Sequence, residues 1–193
     1  MKKKNIEDHK LVDQYSKRLI ETIKQDKYSE INSLYKKLFL TWKNKKTIYI
    51  CGNGGSAGNA NHIANDLIFA AGKKNKKGLK VESLASNPAI LTCLANDIGY
   101  ENIFSEQLKV KGAKGDLLIL LSGSGNSKNI INAIKMAKKL DILTLAILGF
   151  NGGKCKKIVD EYIHYQINDM QISEDMQMIV FNMCIQELMK KKV

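Results

Sequence analysis

Apolar residues along this chain follow two alternating patterns. Short, nearly unbroken apolar runs stand between longer segments in which apolar positions recur every three or four residues. The runs predict strands at 47–51, 79–84, 117–122, 143–148 and 162–167, because a parallel strand buried on both faces reads as continuous apolar sequence. The segments between them predict helices over 56–71, 88–95, 102–110, 126–140 and 153–159, with a last one over 173–190. Pro88, the only proline, suits the first turn of its helix.

Two further helical blocks, 6–24 and 28–43, precede the first strand. Leu11, Tyr15, Leu19 and Ile23 fall near one face of the first, and Ile31, Leu34, Leu38 and Leu40 do the same in the second. Asp26-Lys27-Tyr28-Ser29 is a break between them. Alternating strand and helix after residue 45 implies an α/β fold: a five-stranded parallel sheet with helices on both faces, preceded by two N-terminal helices. Residues 1–193 read as a single domain, with a helical pair at 1–44 and an α/β core at 45–193. The helical pair needs a sheet face or a partner subunit to cover it.

Charge and cysteine content narrow the setting. No apolar run is long enough to span a bilayer, and Met1-Lys2-Lys3-Lys4-Asn5 leads into polar sequence, so a cytoplasmic protein without a membrane partner is expected. The four cysteines are scattered, which argues against a zinc ribbon or a disulfide framework. The net charge is +12, but Lys2–Lys4 and Lys190–Lys192 supply six of those charges, and the run 73–77 reads as a solvated loop. No nucleic-acid motif accompanies the lysines, so a nucleic-acid partner is not expected. A positive field does favour the approach of an anionic substrate.

Candidate chemistry sits where strands end in glycine. Ile48-Tyr49-Ile50-Cys51 breaks into Gly52-Asn53-Gly54-Gly55-Ser56 and then a helix, a construction that aims backbone N–H groups at an anion. The loop satisfies the loose dinucleotide pattern, yet Glu82 lies inside the second strand and is poorly placed for a ribose. The Gly-Lys-Ser/Thr ending of a P-loop is missing as well. A second loop, Ser122-Gly123-Ser124-Gly125-Asn126-Ser127, follows the third strand and offers hydroxyls and glycine-exposed amides. Two such loops at one sheet edge suit a small phosphorylated ligand, with no nucleotide cofactor.

The motifs CGNGGSAGNANH, LANDIGYENIFSEQ and LLSGSGNS, with the two leading helices, resemble the sugar-isomerase (SIS) domain family, and within it the phosphoheptose isomerase branch. The resemblance implies a flavodoxin-like subunit, a homotetramer with sites at subunit contacts, and a sugar phosphate substrate drawn from surface-polysaccharide precursor synthesis. It places phosphate binding on Ser122, Ser124 and Ser127, with Gly123 and Asn126 in the same loop. Gly123 stands where the relatives have threonine. Sugar binding falls on Asn53, Gly54, Gly55 and Ser56, and on Asn96 and Asp97, where Ala95-Asn96-Asp97 replaces Gly-Asn-Asp.

The same resemblance implies a zinc site and a catalytic group at His62, Asp66, Glu174 and Asn182, where the relatives carry His, Glu, Gln and His. His62 and Asp66 are four residues apart and share a helix face. Asn182 removes an imidazole, and the remaining donors suit a hard ion, or none, better than zinc. For enediol chemistry Asp66 is the candidate base, with His62 or Glu174 as partner acid. Two readings stay open on these residues. One is a sedoheptulose 7-phosphate type aldose–ketose isomerase. The other is a non-catalytic or altered-specificity sugar-phosphate-binding or regulatory protein. His9 and His164 lie in an N-terminal helix and a strand, away from the motifs.

Overall fold

A computed structural model of the chain describes residues 2–73 and 77–191. The Lys74–Lys76 part of the lysine run, and Lys192, lie outside the described residues. Two helices lead, α1 (Lys2–Ile23) and α2 (Tyr28–Lys43), followed by β1 (Thr47–Gly52), α3 (Gly55–Ile68), β2 (Lys80–Ser83) and α4 (Pro88–Ile98). A 3₁₀ turn at Tyr100–Asn102 precedes α5 (Ser105–Lys111), β3 (Leu117–Ser122), α6 (Lys128–Lys139) and β4 (Leu143–Leu148). The chain closes with α7 (Cys155–Ile158), β5 (Glu161–His164) and α8 (Met170–Leu188). All five expected strands form one parallel sheet in the order β2-β1-β3-β4-β5.

Side-chain alternation along the central strands builds two cores. Ile48, Ile50, Leu117, Ile119, Leu121, Leu145 and Ile147 point to the face covered by α2, α3 and α8. Tyr49, Cys51, Leu118, Leu120, Ala146 and Leu148 point to the opposite face, under α5 and α6. The continuous apolar runs therefore reflect burial on both sides of a parallel sheet. At the amino edge the buried Asp116 carboxylate accepts from the N–H groups of Thr47 and Ala113, both at 2.9 Å, and ties the start of β1 to the turn before β3.

Several local expectations are corrected. In α2 the buried stripe is Leu34, Leu38 and Trp42, while Leu40 is exposed. Leu40 lies two residues beyond Leu38, roughly 200° around the helix, so both cannot face the sheet. In α1, Leu11 and Ile23 are exposed; Tyr15 and Leu19 carry the contact with the core. Of the leading pair, α2 packs directly on β1 and β5. α1 rests on α8, where the Tyr15 hydroxyl donates to Asp175 at 2.5 Å. That bond, followed by burial, pushes the Tyr15 phenol up to about 12.

The helix after β4 shortens to Cys155–Ile158 because Gly152 and Gly153 adopt positive φ (79° and 53°). β5 stops at His164, and a tight turn follows in which the Ile167 N–H donates to the Tyr165 carbonyl. Asp169 then caps α8 by accepting from the Ile172 N–H at 3.1 Å, so the helix starts at Met170 rather than at Ser173. Glu174 thereby falls inside a formed turn and projects from a fixed backbone.

Removing buried volume from the α2 stripe tests this packing. Leu38 is fully buried, and Leu38→Ala is expected to lower stability by about 2–5 kcal/mol. Urea unfolding should show the midpoint falling at unchanged slope, with the exposed Lys36→Ala within about 0.5 kcal/mol of wild type.

Candidate active site

β1 and β3 are hydrogen-bonded neighbours although β2 lies between them in sequence. From β1 the chain enters α3 on one face of the sheet, where Ala60, Ile63 and Leu67 are buried. From β3 it enters α6 on the other face, where Ile130, Ala133 and Ile134 are buried. The two helix starts diverge at the carboxyl edge and open a crevice, the usual ligand position in such sheets. It is a cleft of about 280 Å³. Asn53, Gly54, Gly55 and Ser56 line it on the β1 side, and Ser122, Gly123, Ser124 and Ser127 on the β3 side, with Met170 and Glu174 of α8 closing it.

The β3 loop is shaped by its own serines. The Ser122 hydroxyl accepts from the Gly125 N–H at 3.0 Å, and the Ser124 hydroxyl accepts from the Asn126 N–H at 3.3 Å. Behind it, the Gly125 carbonyl accepts from the Cys155 N–H (2.9 Å) and Asn126 Oδ1 from the Lys154 N–H (3.0 Å). Gly125 is required twice over: its φ is +65°, and a Cβ there would strike the Gly152 carbonyl. Ser127 starts α6 without making a side-chain capping bond. Ser124 and Ser127 line the cleft beside the α6 N-terminus and supply neutral hydroxyl groups suited to a phosphate.

The β1 loop is built against α8. Ser56 is buried, and its hydroxyl accepts from Gln177 Nε2 at 3.0 Å while standing 3.5 Å from Glu174 Oε1. Asn59 Nδ2 lies 3.0 Å from both the Glu174 carbonyl and Gln177 Oε1. A Cβ on Gly55 would collide with the Glu174 carboxylate, so glycine is needed where that carboxylate crosses the helix start. Among the described residues lining the cleft, Glu174 is the single charged side chain.

Asn53 faces a buried partner that sequence reasoning missed. Asn53 and Asn129 exchange side-chain amide hydrogen bonds at 2.9 and 2.8 Å, and the Tyr100 hydroxyl donates to Asn53 Oδ1 at 2.9 Å. Asn129 is 1% exposed. The available signal was a polar residue on the apolar stripe of α6.

Other anticipated residues stand elsewhere. Asn126 turns its side chain toward the β4–α7 loop, not into the cleft. Asn96 and Asp97 are exposed on α4, bonded to each other at 2.8 Å, and lie outside the cleft of this chain. His62 Nε2 and Asp66 Oδ2 pair at 3.3 Å on the outward side of α3, also outside the cleft lining. Asn182 is exposed on α8. Among the described residues no group of three or more His, Cys, Asp and Glu side chains is placed to hold a metal ion. His62, Asp66 and Glu174 in one chain therefore do not make the donor set a zinc ion requires. His164 is pinned between the Phe150 carbonyl and Lys156, and burial lowers its pKa. Burial, with a smaller push from Cys155, raises the Cys51 thiol well above its ordinary value, which leaves it a packing residue beneath the β1 loop.

A model of the SIS domain matches residues 13–149, more than half of the chain. The chain belongs to the SIS-domain family. Similar proteins include the phosphoheptose isomerase of Helicobacter pylori strain Shi470, 40% identical over 145 residues covering 75% of each chain. That of Aliarcobacter butzleri strain RM4018 is 39% identical over 139 residues, 72% of this chain and 73% of the relative. Among solved structures, a phosphoheptose isomerase from Francisella tularensis aligns with a TM-score of 0.89 at 21% identity, over 97% of this chain and 99% of the other. Phosphoheptose isomerase GmhA from Neisseria gonorrhoeae aligns with a TM-score of 0.84 at 24% identity, over 97% and 98%. These superpositions establish the SIS fold for this chain, including the two leading helices.

Asn129→Leu leaves the Asn53 amide without its buried partner. The substitution is expected to cost about 1–3 kcal/mol, read as a lowered unfolding midpoint, and to weaken sugar phosphate binding.

Proposed function

We propose that this SIS domain is an aldose–ketose isomerase of a heptose phosphate, with sedoheptulose 7-phosphate as its ketose substrate. The observation that carries the proposal is the cleft itself: a serine-rich helix start on one wall, a glycine loop on the other, and a carboxylate between them. The relatives at about 40% identity are named phosphoheptose isomerases, which favours this reading over a non-catalytic binding module.

In this reading the phosphate sits against Ser124, Ser127 and the first amides of α6, while Asn53 to Ser56 hold the polyol. Isomerisation removes a proton from C1 of the ketose, forms the enediol and returns a proton to C2, with a second proton moving between the two oxygens. Atoms and charge balance without an added oxidant. Asp66 is the proposed base and His62, 3.3 Å from it, the partner acid, while the Glu174 carboxylate accepts from hydroxyls at the polyol end. No step is routed through zinc.

Asp66, His62, Asn96 and Asp97 lie outside one chain's cleft, so the proposal includes assembly into a homotetramer whose contacts bring these groups to the substrate. The support is an uncovered surface. α4 has no fully buried residue: Leu91 and Leu94 pack against the core under α5 and α6, and Ile98 is exposed. α1 leaves Leu11, Val12 and Ile20 exposed. In this reading partner subunits cover these faces and the protein works in the cytoplasm; no helix among the described residues is long and apolar enough to cross a membrane.

Turnover of sedoheptulose 7-phosphate to its aldose by the purified chain tests the function directly, and absence of turnover with or without added zinc would overturn it. Asp66→Asn is expected to lower kcat by roughly 10²–10⁴-fold. Ser124→Ala and Ser127→Ala should each raise KM by about tenfold, the loss of one hydrogen bond to a charged group.

A further inference from the structure

Two helix N-termini face the cleft, and each by itself favours an anion. They are not equivalent. At α6, Ser127 makes no side-chain capping bond, Ser124 and Ser127 line the cleft, and no acidic side chain lines that wall among the described residues. At α3, Gly54 supplies no capping side chain, and the Glu174 carboxylate lies against Gly55, the first residue of the helix, 3.5 Å from the Ser56 hydroxyl. The support beneath Glu174 is firm. Ser56, 3% exposed, is fixed by Gln177, and Asn59 holds the Glu174 carbonyl and Gln177 together, locking the first turns of α3 and α8 to one another.

We infer that Glu174 gives the cleft its polarity. Its negative charge offsets the α3 terminus, leaving α6 as the single free anion seat. The phosphate of a monoester then goes to the α6 end, and its uncharged carbonyl and hydroxyl end goes to α3, where the carboxylate accepts from sugar hydroxyls. A second phosphate at the reacting end would stand against Glu174 and be repelled. The site therefore selects sugar monophosphates against bisphosphates, and Glu174 is a specificity-determining residue apart from any part it takes in proton transfer. This inference rests on the sugar phosphate reading of the cleft.

Equilibrium titration of the full chain with sedoheptulose 7-phosphate and with sedoheptulose 1,7-bisphosphate tests it without reference to turnover. Wild type is expected to prefer the monophosphate at least tenfold. Glu174→Gln, which removes the charge at nearly constant shape, should shrink that preference tenfold or more, chiefly by tighter binding of the bisphosphate. Glu174→Asp should retain most of the preference. Ser127→Ala should weaken both esters and leave their ratio in place. An unchanged ratio in Glu174→Gln, or equal losses for both esters, overturns the assignment of polarity to Glu174. Failure of wild type to bind either ester overturns the sugar phosphate reading itself, and the polarity falls with it.

Discussion

The pairing of β1 with β3 is the constraint on which the site depends. Five registers of buried strand residues, from Ile48↔Leu117 to Gly52↔Leu121, hold these strands side by side although a whole β–α unit separates them in sequence. Parallel strands need crossovers, and crossovers of one hand send α3 and α6 to opposite faces. Two loops that are remote in the chain thus end within one crevice. Neither loop needs a charged residue of its own to hold an anion there.

What fills the crevice follows from which side chains are small. Gly55 lets the Glu174 carboxylate lie across the start of α3, and Gly125 lets the serine loop settle against the Gly152 carbonyl. The seam between α3 and α8 carries Ser56, Asn59 and Gln177, a closed set of hydrogen bonds that fixes one wall. Asn53 and Asn129 tie that wall to α6. A satisfied buried polar network of this kind trades some apolar packing for a defined geometry, as a site that must orient a polyol requires.

The fold was largely legible in the sequence. Apolar runs located all five strands, and Pro88 placed the start of α4, because burial on both sheet faces and proline stereochemistry are local signals. The two glycine-containing loops and most of their cleft-lining residues, from Asn53 to Ser56 and from Ser122 to Ser127, were visible for the same reason. Element ends were less so: a γ-like turn centred on Gln166 and the Asp169 cap set the start of α8, and the turn is held from a distant loop by the Phe150 N–H donating to the Ile167 carbonyl.

By itself, then, the chain determined its strand and helix order and its two glycine loops, which follow from periodicity and turn chemistry, and its SIS membership, which follows from short motifs. Tertiary structure decided what stands opposite what. It turned Leu40 outward and Trp42 inward, because a helix has one sheet-facing stripe. It set Asn129 behind Asn53, and it left His62 and Asp66 on the outer side of α3. It also laid Glu174 over Gly55. These are distances between residues up to about 120 positions apart, such as Ser56 and Gln177. The Asn53–Asn129, Ser56–Gln177 and Gly55–Glu174 contacts arise from the β1–β3 junction and from the packing of α8 across α3, which no local pattern encodes.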